Sequence, residues 1–374
     1  MSNLDPGFDT FPLFELPSLV WEMVILRMDV LEIFTFTFVS EDIYNAVKRL
    51  LGRNKHRYQL KMRLAREHRL GINRTVHHTF IVNDDAFFIV KTPKNFKREA
   101  FTATIDGTSF KGFVMKGGMM AYCEDVEVGM RAMICYFSEL FDQDICHLHY
   151  GYFPKTVSSD LAIIDFLLNR QGRIGSATVH LSKPKVKFEQ LFDRLTTVET
   201  LEFDVSLGLR LNVPEGLTWQ RNVLYLNNPS WLTVPHLMLM NCKRLILDGC
   251  DLEDFDVNIF LRHVVNGAVP ELEHLTIEAV EKAIIMRENM DEILEHLDCE
   301  ANPNRVLKTS PEDPRRMLAT PMDISQNGET IATVFYTEEI PPDYKAYSMR
   351  FLDFVKPSHT CTGPYRFNYR NRML

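Results

Sequence analysis

The seven cysteines of this 374-residue chain lack the close pairing that a disulfide framework or a zinc-binding module requires. They are scattered and odd in number, and no two of them form a C-x-x-C pair. Such cysteines are typical of buried or unreactive thiols in a reducing compartment. We therefore expect the protein in the cytoplasm or the nucleus, and we do not expect a disulfide-rich secreted domain.

Long apolar runs and an excess of positive charge are also missing. The uninterrupted apolar runs are all far shorter than the roughly 18 residues that a membrane-crossing helix needs. The formal net charge is −8, whereas proteins that bind nucleic acid through their overall charge are basic. We expect neither a membrane nor a nucleic acid as a partner.

Catalytic motifs are missing as well. The sequence contains no phosphate-binding G-x-x-x-x-G-K-[ST], no G-x-S-x-G nucleophile turn and no H-E-x-x-H zinc motif. His147 and His149 alternate beside Cys146, but no third ligand follows at a spacing typical of zinc sites. We therefore predict no catalytic residue, no metal and no cofactor, and we expect a protein that is not an enzyme.

The sequence does contain an unusually apolar opening segment at residues 11–50, which predicts three short helices. Pro17 favours the start of the first. Asp29 with Glu32 three residues later resembles a capping box for the second. Ser40 is a suitable N-cap for the third. The first helix has apolar residues at helical spacing: Leu19, Val20, Met23 and Val24.

Three helices in about 40 residues rarely bury a sufficient core by themselves. Several large apolar side chains lie outside or between the internal faces of these helices, and we expect something else to cover them. One possibility is that the segment caps the domain that follows it. The other is that a second protein binds there. The side chains in question are Trp21, Ile25, Met28, Phe36 and Phe38.

This segment resembles an F-box. The matching positions are Leu16-Pro17, Val20, Val24-Ile25, Met28-Asp29, Glu32-Ile33 and Val39-Ser40. It departs from many F-boxes at Glu41, where a basic residue and then Trp are common. The resemblance implies docking on the Skp-type adaptor of a cullin–RING ubiquitin ligase. The residues expected to bind that adaptor are Leu16, Pro17, Val24, Ile25, Met28, Ile33, Val39 and Ser40.

Residues 48–74 are strongly basic, with ten Lys or Arg and one acid, Glu67. Such a stretch could contact nucleic acid or an anionic membrane. It could equally be a solvated linker helix, and we favour this interpretation because aromatic residues for base stacking are scarce.

The middle of the sequence shows a weak repeat. Short strand-like segments have their first apolar residues at positions 179, 201, 224, 245 and 275, which gives spacings of 22, 23, 21 and 30. Apolar helical segments lie between several of them. These periods favour leucine-rich repeats with parallel strands, and a generic α/β domain is the alternative.

Residues 227–277 resemble the F-box-associated type 2 domain of nematode F-box proteins. Val264 departs from this pattern, in which Trp is frequent. Residues 323–336 resemble the terminal strands of the same family, and Asn327-Gly328 predicts a hairpin turn there. The matching residues are Ser230-Trp231-Leu232-Thr233, Leu237, Asn241-Cys242-Lys243-Arg244, Leu252, Asn258, Phe260-Leu261, His263, Gly267 and Leu272-Glu273.

In a leucine-rich strand the residues between the leucines point away from the core, because side chains alternate. We expect this outward face to bind a protein substrate. The expected contacts are Glu202, Tyr225, Arg244, Ile246 and Thr276. Trp231 and Phe260, by contrast, are expected in the core.

Taken together, the sequence predicts a fold of the α+β or α/β class: a three-helix F-box followed by an irregular leucine-rich-repeat-like solenoid with parallel strands. The resemblances imply a substrate-recruiting subunit of a Skp–cullin–F-box ligase, linked through the adaptor to a cullin. The alternative is a repeat-like scaffold unconnected to ubiquitin. The expected segments are an F-box at 11–52, a basic helical linker at 53–75, a repeat-like body at 76–300 with the type 2 segment at 196–277, and a C-terminal loop, hairpin and tail at 301–374.

Overall fold

The protein divides into two compact units, seen in a computed structural model. The first comprises Met1–His149 and Ser158–Ile174, and the second comprises Tyr150–Val157 and Gly175–Leu374. Within the described residues no helix is long and apolar enough to cross a membrane. The structure describes residues 15–64, 77–92, 101–116, 118–151, 157–181, 188–206, 219–279, 290–304, 316–317, 321–339 and 349–357.

Three short helices begin the first unit: α1 (Ser18–Ile25), α2 (Val30–Phe36) and α3 (Glu41–Arg53). The predicted capping box is present, because Asp29 Oδ1 accepts the Glu32 N–H at 2.7 Å and Glu32 Oε2 accepts the Asp29 N–H at 2.9 Å. Ser40 Oγ likewise accepts the Ile43 N–H at 3.2 Å. Local start signals therefore set the first residues of α2 and α3.

Replacing Asp29 with Ala should lower the free energy of unfolding by about 1 kcal/mol, because α2 loses its N-cap acceptor. Urea denaturation followed by circular dichroism measures this loss. Asp144→Ala, which removes an exposed carboxylate outside any helix, is the matched control and should change little. An equal loss in both variants would contradict the capping role of Asp29.

A mixed sheet, flanked by helices, forms the rest of the first unit. Its strand order is β4-β5-β6-β3-β2-β1-β7, and among the pairs with a defined direction β3 and β6 are parallel and the others antiparallel. The elements are β1 (Leu60–Leu64), β2 (His77–Val82), β3 (Asp85–Lys91), β4 (Phe101–Ile105), β5 (Thr108–Met115), β6 (Gly118–Cys123), α4 (Val126–Phe141), β7 (Ile145–Gly151) and α5 (Val157–Gln171).

The prediction of a helical linker at 53–75 is wrong for its middle part, because residues 60–64 form β1. Leu60, Met62 and Leu64 are buried there, and the basic residues between them lie on the other side of the strand. Apolar and basic residues alternate with period two, which is the pattern of a half-buried strand. Residues 65–74 of the basic stretch lie outside the described residues.

An aromatic cluster joins the helices to this sheet. The Phe34 ring of α2 lies 5.3 Å from that of Phe87 on β3 and 5.6 Å from that of Phe137 on α4. The Phe137 ring is also 4.7 Å from the Phe80 ring on β2, and the hydroxyl groups of Thr37 and Tyr136 are hydrogen-bonded. The three opening helices thus share one hydrophobic core with the sheet.

The second unit is built on a sheet whose first five strands are parallel and consecutive in sequence. Its elements are β8 (Ser176–Leu181), α6 (Phe188–Arg194), a 3-10 turn (Leu195–Thr197), β9 (Thr200–Val205), β10 (Trp219–Asn227), α7 (Val234–Met238), β11 (Met240–Asp248), α8 (Asp254–Val265), β12 (His274–Ala279), α9 (Met290–Ile293), β13 (Cys299–Ala301), β14 (Arg316–Met317), β15 (Met322–Gln326), β16 (Glu329–Glu339) and β17 (Met349–Val355).

The predicted parallel strands are confirmed for β8 to β12. Leu201, Leu224, Leu245 and Leu275 stand side by side in neighbouring strands, and all four are buried. The sheet then turns antiparallel, in the order β12-β17-β16-β15-β13. The second unit is therefore a mixed sheet with a parallel segment, and its later strands do not continue the predicted solenoid.

The predicted hairpin turn is present between β15 and β16. Asn327 has φ 53° and Gly328 has φ 82°, and two successive positive φ values are the signature of a type I′ turn. Trp231 and Phe260 are buried, as expected. The Trp231 ring stacks 6.1 Å from Trp219, which in turn meets the Phe192 ring of α6 at 4.3 Å.

Candidate functional site

One face of α1 is an exposed apolar stripe. Leu19 is 68% exposed and Met23 is 51% exposed, and Val20 and Val24 lie beside them at positions i+1 and i+5 from Leu19. The opposite side of the helix is anchored, because Ile25 is fully buried and Glu22 accepts a hydrogen bond from Arg53 of α3 at 2.8 Å. Four apolar side chains on a fixed helix face form a patch of the kind that marks protein interaction sites.

The apolar stripe, defined as Leu19, Val20, Met23 and Val24, contains only one of the residues expected at the adaptor interface. Val24 belongs to it. Pro17 is exposed and is the N-cap of α1, and Leu16 and Met28 are half-buried. Val39 and Ser40 are exposed at the α2–α3 junction.

Ile25 and Ile33 cannot be contact residues, because both have no exposed surface. They lie in the core of the first unit and support the exposed residues from behind. The helical spacing of Leu19, Val20 and Met23 predicts an internal face, and the structure shows instead that these residues are exposed. The spacing identifies the stripe, but it does not show on which side of the helix the core lies.

Ion pairs connect α3, and the turn after it, to the α4 region. Lys55 Nζ lies 3.0 Å from Asp142 Oδ2, and Lys48 Nζ lies 3.9 Å from Glu139 Oε2. Both pairs are substantially exposed, so each contributes little to stability. Together with the aromatic cluster, these pairs connect the opening helices to the α4 region of the first unit.

The expected substrate face lies on the parallel strands of the second unit. The strand register places Glu202, Tyr225, Ile246 and Thr276 in one row across β9 to β12, and Arg244 lies in the adjacent row. The expected residues therefore do share one face of the sheet, opposite the buried leucines.

Much of this face is closed by hydrogen bonds between strands. Thr178 donates to Glu202 Oε2 at 3.0 Å, and the Tyr225 hydroxyl donates to Asp248 Oδ2 at 2.7 Å. His180 Nδ1 lies 2.6 Å from Asp204 Oδ2. Side chains that satisfy one another in this way form a polar ladder, made here of pairs between β8 and β9 and between β10 and β11.

The expectation that Glu202 and Tyr225 face solvent is wrong, because both are buried in the ladder. Arg244, Ile246 and Thr276 are half-buried. The accessible part of the face is therefore narrower than side-chain alternation suggests, since polar side chains can bury one another when each finds a partner.

The Cys146–His147–His149 segment does not form a metal site within the described residues. Burial lowers the pKa of His147 from its ordinary value of 6.5 to about 4, and the nearby cations Lys61 and Arg63 act in the same direction. Two positive charges beside the imidazole also oppose a bound cation. The segment is an ordinary part of β7, beside β1.

The lowered pKa of His147 predicts that the first unit loses stability in acid. In the unfolded protein His147 is protonated below its ordinary pKa of 6.5, whereas in the folded protein it is protonated only near pH 4. The free energy of unfolding therefore falls as the pH decreases from about 6.5 to about 4. Urea midpoints measured between about pH 7 and pH 4.5 should decrease less in His147→Gln than in the unmodified protein. His56→Gln, at an exposed histidine, is the control. Equal decreases in all three proteins would refute the prediction.

Comparison with known families agrees with both resemblances. The F-box domain model matches residues 13–54, where α1 to α3 lie, and a model described as F-box associated matches residues 217–277, which span β10 to β12. No curated protein and no solved structure matches this sequence. The protein thus contains an F-box and an F-box-associated type 2 domain, as the resemblances indicated. Domains of these two kinds are typical of adaptor and receptor proteins rather than of enzymes.

Proposed function

We propose that this protein is a substrate-recruiting subunit of a Skp–cullin–F-box ubiquitin ligase. The observation that carries the proposal is the coincidence of the matched F-box, residues 13–54, with helices that leave an apolar stripe uncovered. Such a subunit makes and breaks no bonds. It raises the effective concentration of a substrate near a ubiquitin-loaded enzyme and fixes its orientation.

The adaptor would bind the apolar stripe and the exposed residues around it. Burying Leu19 and Met23 removes a large apolar area from water, because these two side chains are long and at least half exposed. Leu16, Pro17, Val24, Met28, Val39 and Ser40 remain proposed contacts. The cullin would join through the adaptor, without direct contact with this interface.

The second unit would hold the substrate. Its parallel strands align the buried Leu201, Leu224, Leu245 and Leu275, and we take β8 to β12 as a short repeat-like scaffold that carries the polar ladder on its other face. Among the residues expected to bind substrate, the half-buried Arg244, Ile246 and Thr276 keep accessible surface. They are the proposed contacts on this face.

Reconstitution tests the ligase assignment against a scaffold unconnected to ubiquitin. The full-length protein is mixed with a purified Skp-type adaptor and a cullin–RING core, and complexes are separated by size exclusion. Co-elution of all components supports the ligase assignment. A protein that elutes alone at micromolar concentrations would leave the scaffold as the better description, since adaptor binding is the step that distinguishes the two.

Replacing Arg244 with Glu should reduce substrate capture about tenfold. The substitution reverses the charge at an accessible position of this face, so that a substrate group complementary to Arg244 would be repelled. Capture is measured by quantitative interaction mass spectrometry with degradation blocked. Arg262→Glu, at an exposed position on α8, is the matched control. Unchanged capture by the Arg244 variant, with adaptor binding intact, would exclude this face.

A further inference from the structure

Arg221 occupies a position that the other repeats give to apolar residues. Each parallel strand has a buried residue three positions before its first core leucine or equivalent, as in the L-x-x-L-x-L pattern. For β10 this residue is Arg221, three before Leu224, and it is only 7% exposed. In the other four strands the corresponding buried residue is Ile174, Val198, Cys242 or Leu272.

The guanidinium of Arg221 is fixed by hydrogen bonds and a ring contact, but not every one of its N–H groups has a hydrogen-bond acceptor among the described residues. Its Nη1 donates to the backbone carbonyls of Leu195 and Val198, the latter at 3.0 Å, and its Cζ atom lies 4.9 Å from the Phe192 ring centre. Its Nε is buried without a partner among the described residues. Burial lowers the pKa of Arg221 to about 10, so the side chain is still a cation at neutral pH.

An open polar cavity of about 460 Å³ lies beside this cation. It is formed where the polypeptide enters β9, β10, β11 and β12. Hydroxyl and amide groups that can donate hydrogen bonds dominate its walls, together with two carboxylates and one amine. The residues that contribute side chains of these kinds are Thr196, Thr197, Glu199, Gln220, Asn222, Asn241, Lys243 and Glu271.

The charges around the cavity decide which anion it suits. Arg221 and Lys243 are balanced by Glu199 and Glu271, so the lining has no net formal charge. A dianionic phosphate would face two carboxylates without any excess of positive charge to compensate. A carboxylate carries half that charge, and its two oxygens match the parallel N–H groups of a guanidinium.

We propose that this cavity binds a carboxylate of the recruited substrate, with Arg221 as the main donor and Lys243 at its rim. An acidic side chain and the C-terminus of a polypeptide offer this same chemistry. A leucine would complete the core at position 221 without burying a charge, so a guanidinium kept in the wall of a polar cavity points to a ligand. The proposal rests on the proposed function for the origin of its ligand.

Direct peptide binding tests the site without knowledge of the substrate. The full-length protein, immobilised by itself, is offered four pools of hexapeptides that are otherwise randomised without Asp or Glu. One pool has a free C-terminus. The other three are C-terminal amides, carrying a fixed internal glutamate, a fixed phosphoserine or neither. Retention of the first pool identifies a peptide terminus as the ligand, and retention of the glutamate pool identifies an acidic side chain.

Two variants assign any binding to the cavity. Arg221→Met places an unbranched apolar side chain at this core position and removes the guanidinium. It should weaken retention of the carboxylate pools at least tenfold. Lys243→Met changes an exposed side chain and should weaken it about threefold without affecting the fold. Arg262→Met is the control and should have no effect.

Three results would overturn the proposal: retention of the phosphoserine pool alone, no retention of either carboxylate pool, or retention that both cavity variants leave unchanged. Adaptor binding by the same preparations separates this failure from a failure of the ligase assignment. If the protein binds the adaptor but retains no carboxylate pool, the proposal for the cavity is wrong and the proposed function still stands.

Discussion

Replacing Leu19 and Met23 together with Asp should weaken adaptor binding at least 100-fold. Both side chains lie on the exposed face of α1, where an interface would remove them from water. Two carboxylates buried there without partners cost well over ~2.8 kcal/mol, which corresponds to a factor of about 100 in affinity. Isothermal titration of the purified protein with a Skp-type adaptor measures the change.

Val114→Asp is the matched control for this double variant. Val114 is 54% exposed on β5 of the same unit, so the substitution places one carboxylate at a similarly exposed apolar position. It should leave adaptor affinity unchanged. Equal binding by the control and the double variant would show that the stripe on α1 is not the interface. Circular dichroism must be the same for all three proteins, as expected for changes at exposed positions.

Truncating Phe260 to Ala should lower the free energy of unfolding by about 3–5 kcal/mol, as for other large buried aromatic residues. Phe260 lies on the inner side of α8 and has no exposed surface. Phe255, five residues earlier on the same helix, is 58% exposed. Phe255→Ala removes the same atoms from the same helix and should cost less than about 0.5 kcal/mol.

Urea denaturation of the two phenylalanine variants provides the measurement, with tryptophan fluorescence as the probe. The probe reports mainly on the second unit, because Trp219 and Trp231 both lie there. A loss below about 1 kcal/mol for Phe260→Ala would be too small for a filled core position. It would mean that α8 does not pack on the sheet in the way described.

The elements that could be predicted from the sequence are those with a local cause. The start of α2 follows from Asp29 and Glu32 alone, and the β15–β16 turn follows from Asn327 and Gly328, since both motifs act within four residues. The parallel strands β8 to β12 were also predictable, because the spacing of buried apolar residues repeats along the sequence.

What failed depended on long-range packing. Both sides of α1 are apolar, so periodicity could not show that Ile25 is buried by the rest of the protein and Leu19 is not. The same limit applies to Tyr225, whose burial depends on a hydrogen bond to Asp248, 23 residues away in sequence. Residues 60–64 were included in a basic linker because of their charge, although their alternating apolar and basic residues are typical of a strand.

The aromatic cluster of Phe34, Phe80, Phe87 and Phe137 means that the F-box cannot be cut out of this protein as a module. A fragment ending near residue 55 would expose the Phe34 ring and the Thr37 hydroxyl group that Tyr136 engages. Such a fragment would bind many proteins non-specifically through a surface that the native protein hides. Grafts and deletions that aim to move the F-box must therefore carry β2, β3 and α4 with it, and pull-downs with the short fragment would report false partners.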